Sequence, residues 1–234
     1  MLGIFTGTIV NVVLIILGTL AGILTKGERF KKVGDRIVQV FGLYVFTMGV
    51  EGAMGIKEPV LALASIVIGT IIGELFDIDH QFTRLGDFFK KKFAKPDDLK
   101  FSEGFVSASL LFCIGSMAIM GALQAGLENE HSIYYTKAIL DGVTAITFAM
   151  GCGIGVAFSA IPVGIYQALL VLFASFLAPV LSPNIVTLSV QVGSLALMGI
   201  GLNLVGITKL KVANFMPAMF IPMIYQAISL LFAR

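Results

Sequence analysis

Eight stretches of about twenty mostly apolar residues follow one another along the chain, at roughly 3–25, 37–56, 59–76, 104–126, 139–160, 162–181, 185–207 and 212–233. A helix rises ~1.5 Å per residue, so each stretch is near the length that crosses ~30 Å of hydrocarbon. In lipid the backbone must satisfy its own hydrogen bonds, which makes these stretches helices. Composition agrees: 57% of the 234 residues are hydrophobic and 13% are charged, whereas a soluble domain is about 25% charged. The mean hydropathy is +0.97. These values exclude a soluble globule and predict an all-α fold, a polytopic membrane helical bundle of about eight transmembrane helices in one domain over residues 1–234. The first stretch has no basic lead-in and is too long for a signal-peptide core, so it is read as a span.

The weakest boundary is between the fifth and sixth spans, where only Ser159-Ala160-Ile161-Pro162 interrupts the apolar run. A tight hairpin, one broken helix and a re-entrant pair all fit, and proline beside small residues favours the hairpin. Counting Lys and Arg by alternate loops gives the orientation. One side holds Lys26, Arg29, Lys31, Lys32, Arg36, Arg84, Lys90, Lys91, Lys92, Lys95, Lys100, Lys209 and Lys211, thirteen in all, against Lys57, Lys137 and Arg234 on the other. The positive-inside rule then places residues 26–36 and 77–103 in the cytoplasm and both termini outside it. A seven-span arrangement is the alternative.

The chain also repeats itself. Leu17-Gly18-Thr19-Leu20-Ala21-Gly22 recurs as Ile68-Gly69-Thr70-Ile71-Ile72-Gly73, and Phe30, Gly34 and Asp35 recur as Phe82, Gly86 and Asp87. Tyr166-Gln167-Ala168 recurs as Tyr225-Gln226-Ala227. The reading is four helical hairpins, 1–57, 58–127, 138–182 and 183–234, forming internal parallel repeats. Two amphipathic stretches sit between spans, with Phe30, Val33 and Ile37 in one and Phe82, Leu85 and Phe89 in the other. Their spacing puts the apolar groups on one helical face. Such helices lie in the membrane surface, and Lys90, Lys91 and Lys92, at the head of a polar loop over 90–102, face anionic lipid headgroups.

No nucleophile–base set, phosphate loop or metal motif appears, so no enzyme, cofactor or metal is expected. Cys113 and Cys152 lie in apolar segments without ligand spacing and read as packing residues. Basic residues confined to loops follow membrane topology and imply no nucleic acid. Polar groups inside spans are the informative residues, because each needs a partner or a cavity. Glu51 lies inside the outer end of the second span, Glu74 near the inner end of the third and Asp141 near the outer end of the fifth. Asn11, Thr47, Thr70, Ser116, Thr144, Thr147, Gln167, Gln191, Asn203 and Gln226 are neutral candidates, each able simply to tie helices together at about 0.6 kcal/mol. Gln167 and Gln226 hold equivalent repeat positions. The expectation is that Glu51, Asn11, Gln167 and Gln226 converge on one polar cavity, with Asn203, Asp141 and Glu74 as further candidates. Glycines at 18, 22, 69 and 73 let helix backbones approach. Gly151-Cys152-Gly153-Ile154-Gly155 and Gly199-Ile200-Gly201-Leu202-Asn203 either pack in the same way or loosen the fifth and seventh spans so that carbonyls face a cavity.

Gly7-Thr8-Ile9-Val10-Asn11, Leu17 to Gly22, Ile68-Gly69-Thr70-Ile71-Ile72-Gly73-Glu74 and the closing Tyr225-Gln226-Ala227 resemble the bacterial membrane proteins of the YqgA/YdfK type, over essentially the whole chain. The resemblance implies a bacterial inner membrane and a link to biofilm formation, and it carries over no site residues. Two functions follow from the sequence. The first is a transporter or channel for a small solute or ion. The second is a non-transporting scaffold or assembly factor with a cell-surface phenotype. The glycine-rich faces and small size also point to a homodimer.

Overall fold

The structure is a computed structural model that describes residues 2–24, 31–93 and 100–232. Lys26, Arg29, Phe30, Lys95 and Arg234 lie outside the described residues, as do the side chains of residues 31–35. The described residues are helical almost throughout. In order they form α1 (Thr6–Leu24), α2 (Lys31–Ala53), α3 (Pro59–Phe76), α4 (Ile78–Phe93), α5 (Phe101–Cys113) and α6 (Ser116–Leu123). Then come α7 (Ser132–Cys152), α8 (Gly155–Phe158), α9 (Ala160–Leu172), α10 (Ala174–Leu177) and α11 (Pro183–Val205). A tightly wound segment, Val212–Phe220, leads into α12 (Ile221–Phe232).

Five segments are long and apolar enough to cross a membrane: Gly3–Leu24, Pro59–Phe76, Gly155–Leu172, Pro183–Val205 and Val212–Phe232. The bent pair α5–α6 makes a sixth if it is one span. Of the remaining long helices, α2 has 23 residues and α7 has 21, long enough to span ~30 Å. Both carry charge within them: Arg36 and Glu51 in α2, Lys137 and Asp141 in α7. The protein is a multi-pass membrane bundle.

Local chemistry sets the helix ends. Pro59 and Pro183 stand in the first turns of α3 and α11, where a missing N–H costs nothing, and Ser182 caps α11 by accepting from the Ile185 N–H. Gly206, with φ of 89°, closes α11. α11 is the most enclosed span, 72% buried against 22% for α3 and for Val212–Phe232, so it is central and they are peripheral.

Glycine decides which helices meet most closely. A side chain on Gly18 or Gly22 would collide with the Gly142 or Ile146 carbonyl, so α1 and α7 run parallel, backbone against backbone. Gly69 and Gly73 bring α3 as close to Ala218 and Asn214, but there the two chains run antiparallel. Gly42 and Gly49 of α2 face Gly201 and Met198 of α11, also antiparallel.

Four expectations change. The turn after α7 falls at Gly153, whose φ of 73° and ψ of −155° suit glycine alone, and not at Ser159 to Pro162. Pro162 is the third residue of α9, where no intrahelical N–H is required. The Gly199 to Asn203 stretch is continuous helix packed on α2 and Leu210, so the seventh span is not loosened. Lys137 is a buried residue within α7, not a loop charge. Lys90, Lys91 and Lys92 belong to the last turn of α4, so the polar loop starts later than expected.

Candidate functional site

The segment read from the sequence as the fourth span is interrupted in mid-course. Ile114 is extended, Gly115 has φ of 144°, and α5 and α6 meet at a 56° bend. The Ile114 N–H still bonds the Leu110 carbonyl, and the next backbone donor to find a partner is Ala118, on the Gly115 carbonyl. The carbonyls of Leu111, Phe112 and Cys113 and the N–H groups of Gly115, Ser116 and Met117 therefore lose their ladder partners. Irregular backbone at membrane depth is stable only where protein or a cavity satisfies it.

A cavity of about 540 Å³ lies at this break, between α2, α5–α6, α7 and α11. Its walls are largely apolar, with Phe41, Tyr44 and Leu111 among them, and its charged lining is Glu51, Lys137 and Asp141. Lys137 and Asp141 are 6% and 8% exposed. One turn apart on α7, they form an ion pair with Nζ 2.5 Å from Oδ2. Asn11 of α1 donates to the same Oδ2 at 3.0 Å. A buried charge without such partners would cost several kcal/mol, about 3–5 on removal of one member. Glu51 is exposed at the cavity wall, and among the described residues its carboxylate has no hydrogen bond or ion pair.

The expected site residues thus do not converge on one cavity. Glu51 and Asp141 share the cavity, and Asn11 stands behind Asp141. Gln167 and Gln226 do not line it. Gln167 is fully buried on α9 with neither amide atom bonded, and Gln226 is half-buried on α12. Asn203 is a loop staple: its amide donates to the Leu210 carbonyl and accepts from Thr208 and the Leu210 N–H. Glu74 accepts from Asn214 at 2.9 Å, beneath the close contact at Gly73.

Asn214 in turn accepts from the Asp79 N–H, and Asp79 accepts from the Ala213 N–H, so α4 is latched to the start of the last span. Burial pushes the Asp79 carboxyl above the usual carboxylate range, against the pull of the Ala213 N–H and Lys211. The hydrogen bond to Asp77 raises Lys211. Sequence reasoning missed Lys137 and Asn214. The first had a signal: opposite charges four residues apart in an apolar helix face each other. The second had none, because its partners are distant in sequence. Among the described residues no group of three His, Cys, Asp or Glu side chains is placed to hold a metal, and Cys113 and Cys152 are buried.

Comparison with known proteins fits this picture of a membrane bundle with no assigned activity. The chain is 30% identical over 220 residues to the Bacillus subtilis (strain 168) protein described as "Uncharacterized membrane protein YdfK", covering 92% of this chain and 93% of that one. It is 28% identical over 222 residues to "Uncharacterized protein YqgA" of Escherichia coli (strain K12), covering 93% and 94%. No solved structure matches it. Residues 6–227 match the family described as "Protein of unknown function (DUF554)", and the chain belongs to that family.

Proposed function

We propose that the protein is a transporter or channel for a small solute or ion in a bacterial inner membrane, with its basic end in the cytoplasm and both termini outside. The observation that carries this reading is the cavity at the broken α5–α6 helix, where released backbone groups meet the Glu51 carboxylate and the Lys137–Asp141 pair. A scaffold needs no such chamber, since polar groups that only tie helices together are best paired and enclosed. The helix directions support eight crossings. With eight, the first and fifth spans run the same way, while the second opposes the seventh and the third opposes the eighth, as α1–α7, α2–α11 and α3 with Val212–Phe220 do. In this orientation α4 lies on the inner surface. Its acidic Asp79 begins the helix and Lys90, Lys91 and Lys92 end it, complementing the helix dipole and reaching anionic headgroups.

Purified protein in liposomes, assayed against a panel of inorganic ions and small organic solutes, tests the proposal. Flux above empty liposomes that falls in Glu51→Gln is the expected result. No flux across the panel, or flux indifferent to Glu51→Gln, contradicts it.

A further inference from the structure

The chamber is poorly made for a bare metal ion. Hard cations take six or more oxygen ligands, whereas this wall is mostly hydrocarbon and aromatic, and its oxygen-bearing side chains, Glu51, Ser116, Asp141, Thr144 and Ser194 among them, are spread over four helices, with Asp141 already held by Lys137 and Asn11. It is no better for an anion. Lys137 is committed to Asp141, which leaves Glu51 as the full charge in the chamber with no ion-pair partner among the described residues, while the freed N–H groups carry only partial charge.

A second groove, about 720 Å³ in volume, runs between α2 and α7 and shares Phe41, Tyr44, Leu140 and Thr144 with the chamber. Its other walls include Val40 and Val143, 66% and 58% exposed on the outside of the bundle, and, at one end, Arg36, whose guanidinium donates to Gln39. At membrane depth that exposure is to lipid. The two spaces adjoin along this shared wall, so a groove that opens sideways into the bilayer lies against a chamber that holds the Glu51 carboxylate together with the rings of Phe41, Tyr44 and Phe112, and aromatic faces attract organic ammonium-type cations.

We infer that the chamber binds an amphipathic organic cation, a single positive charge on an apolar body, which enters from the bilayer between α2 and α7 and brings its charge to Glu51. This rests on the transport reading and names its substrate class. The apolar body replaces lipid contacts with the groove walls, and its charge gives Glu51 the counter-ion that no described residue supplies.

Radiolabelled tetraphenylphosphonium, with protein in lipid nanodiscs, is a direct probe, and tetraphenylborate is its anionic counterpart of the same shape. The expected result is saturable binding, weakened about tenfold or more by Glu51→Gln and by Thr144→Trp, which fills the shared wall, with tetraphenylborate a poor competitor. Both variants should elute as wild type. Binding no greater than to empty nanodiscs, equal competition by tetraphenylborate, or unchanged binding in Glu51→Gln overturns the inference. No gradient enters this assay, so the two readings fail separately. Protein that moves ions in liposomes but does not bind tetraphenylphosphonium keeps the transport reading and overturns this one. Protein that binds it through Glu51 but moves nothing keeps the cation site and overturns transport.

Discussion

The two faces of α7 do opposite things with the same helix. Toward α1 it presents Ala138, Gly142, Ala145 and Ala149, all buried, and closes so tightly that no side chain fits between the backbones. Toward α2 and the break between α5 and α6 it presents Lys137, Leu140, Asp141 and Thr144, which border open space. Small residues produce the seam because, between lipid-embedded helices, dispersion at close approach replaces the hydrophobic drive. Charged and hydroxyl residues hold the other face apart because they must keep each other or water as partners. Asp141 links the two, taking Lys137 on the cavity side and Asn11 of α1 on the other.

The largest effect should come from breaking that link. Lys137→Met leaves Asp141 charged, buried and held only by Asn11, and should destabilise the folded protein by about 3–5 kcal/mol. The double change Lys137→Met with Asp141→Leu removes both charges and should recover most of the loss. Thermal unfolding in detergent, followed by size-exclusion of the surviving fraction, measures both. If the single variant is as stable as wild type, the pair is not the joint between the two faces.

A smaller contrast separates the faces themselves. Gly18→Leu drives a side chain into the Gly142 carbonyl and should cost about 1–3 kcal/mol, whereas Thr144→Leu, at the cavity wall, should cost under ~1 kcal/mol. The same unfolding assay reads the difference. Equal losses would mean that the cavity face is packed as tightly as the seam.

Much of the bundle was legible in the sequence because lipid imposes simple rules. Apolar runs located the helices, the spacing of Phe82 and Phe89 predicted the amphipathic α4, and the Gly18/Gly22 and Gly69/Gly73 copies marked close backbone contacts. Glu51 and Asp141 were found because carboxylates in hydrocarbon need a reason. Partner and direction were hidden: the two glycine copies meet a parallel neighbour in one case and an antiparallel one in the other, which no local pattern encodes. The equivalence of Gln167 and Gln226 in the repeat did not bring them to the cavity, since matching sequence gives equivalent places on helices but not a shared axis. The break at Ile114-Gly115 escaped notice because glycine in a membrane helix is common and usually leaves it intact.

The central claim is that the cavity at the broken helix is a transport chamber, which requires water to reach it from one side of the membrane, and that access can be measured at two serines on either side of the break. Ser116 lies at the cavity and is exposed, while Ser109 is 1% exposed and donates to the Phe105 carbonyl. Each is changed to cysteine in turn and treated, in spheroplasts, with a membrane-impermeant cationic methanethiosulfonate, the wild type with its buried Cys113 and Cys152 serving as background. The account predicts that Ser116→Cys reacts while Ser109→Cys and wild type do not, and that adding Glu51→Gln slows the reaction. A Ser116→Cys protein as inert as Ser109→Cys would show that no aqueous chamber exists at the break and would contradict the account.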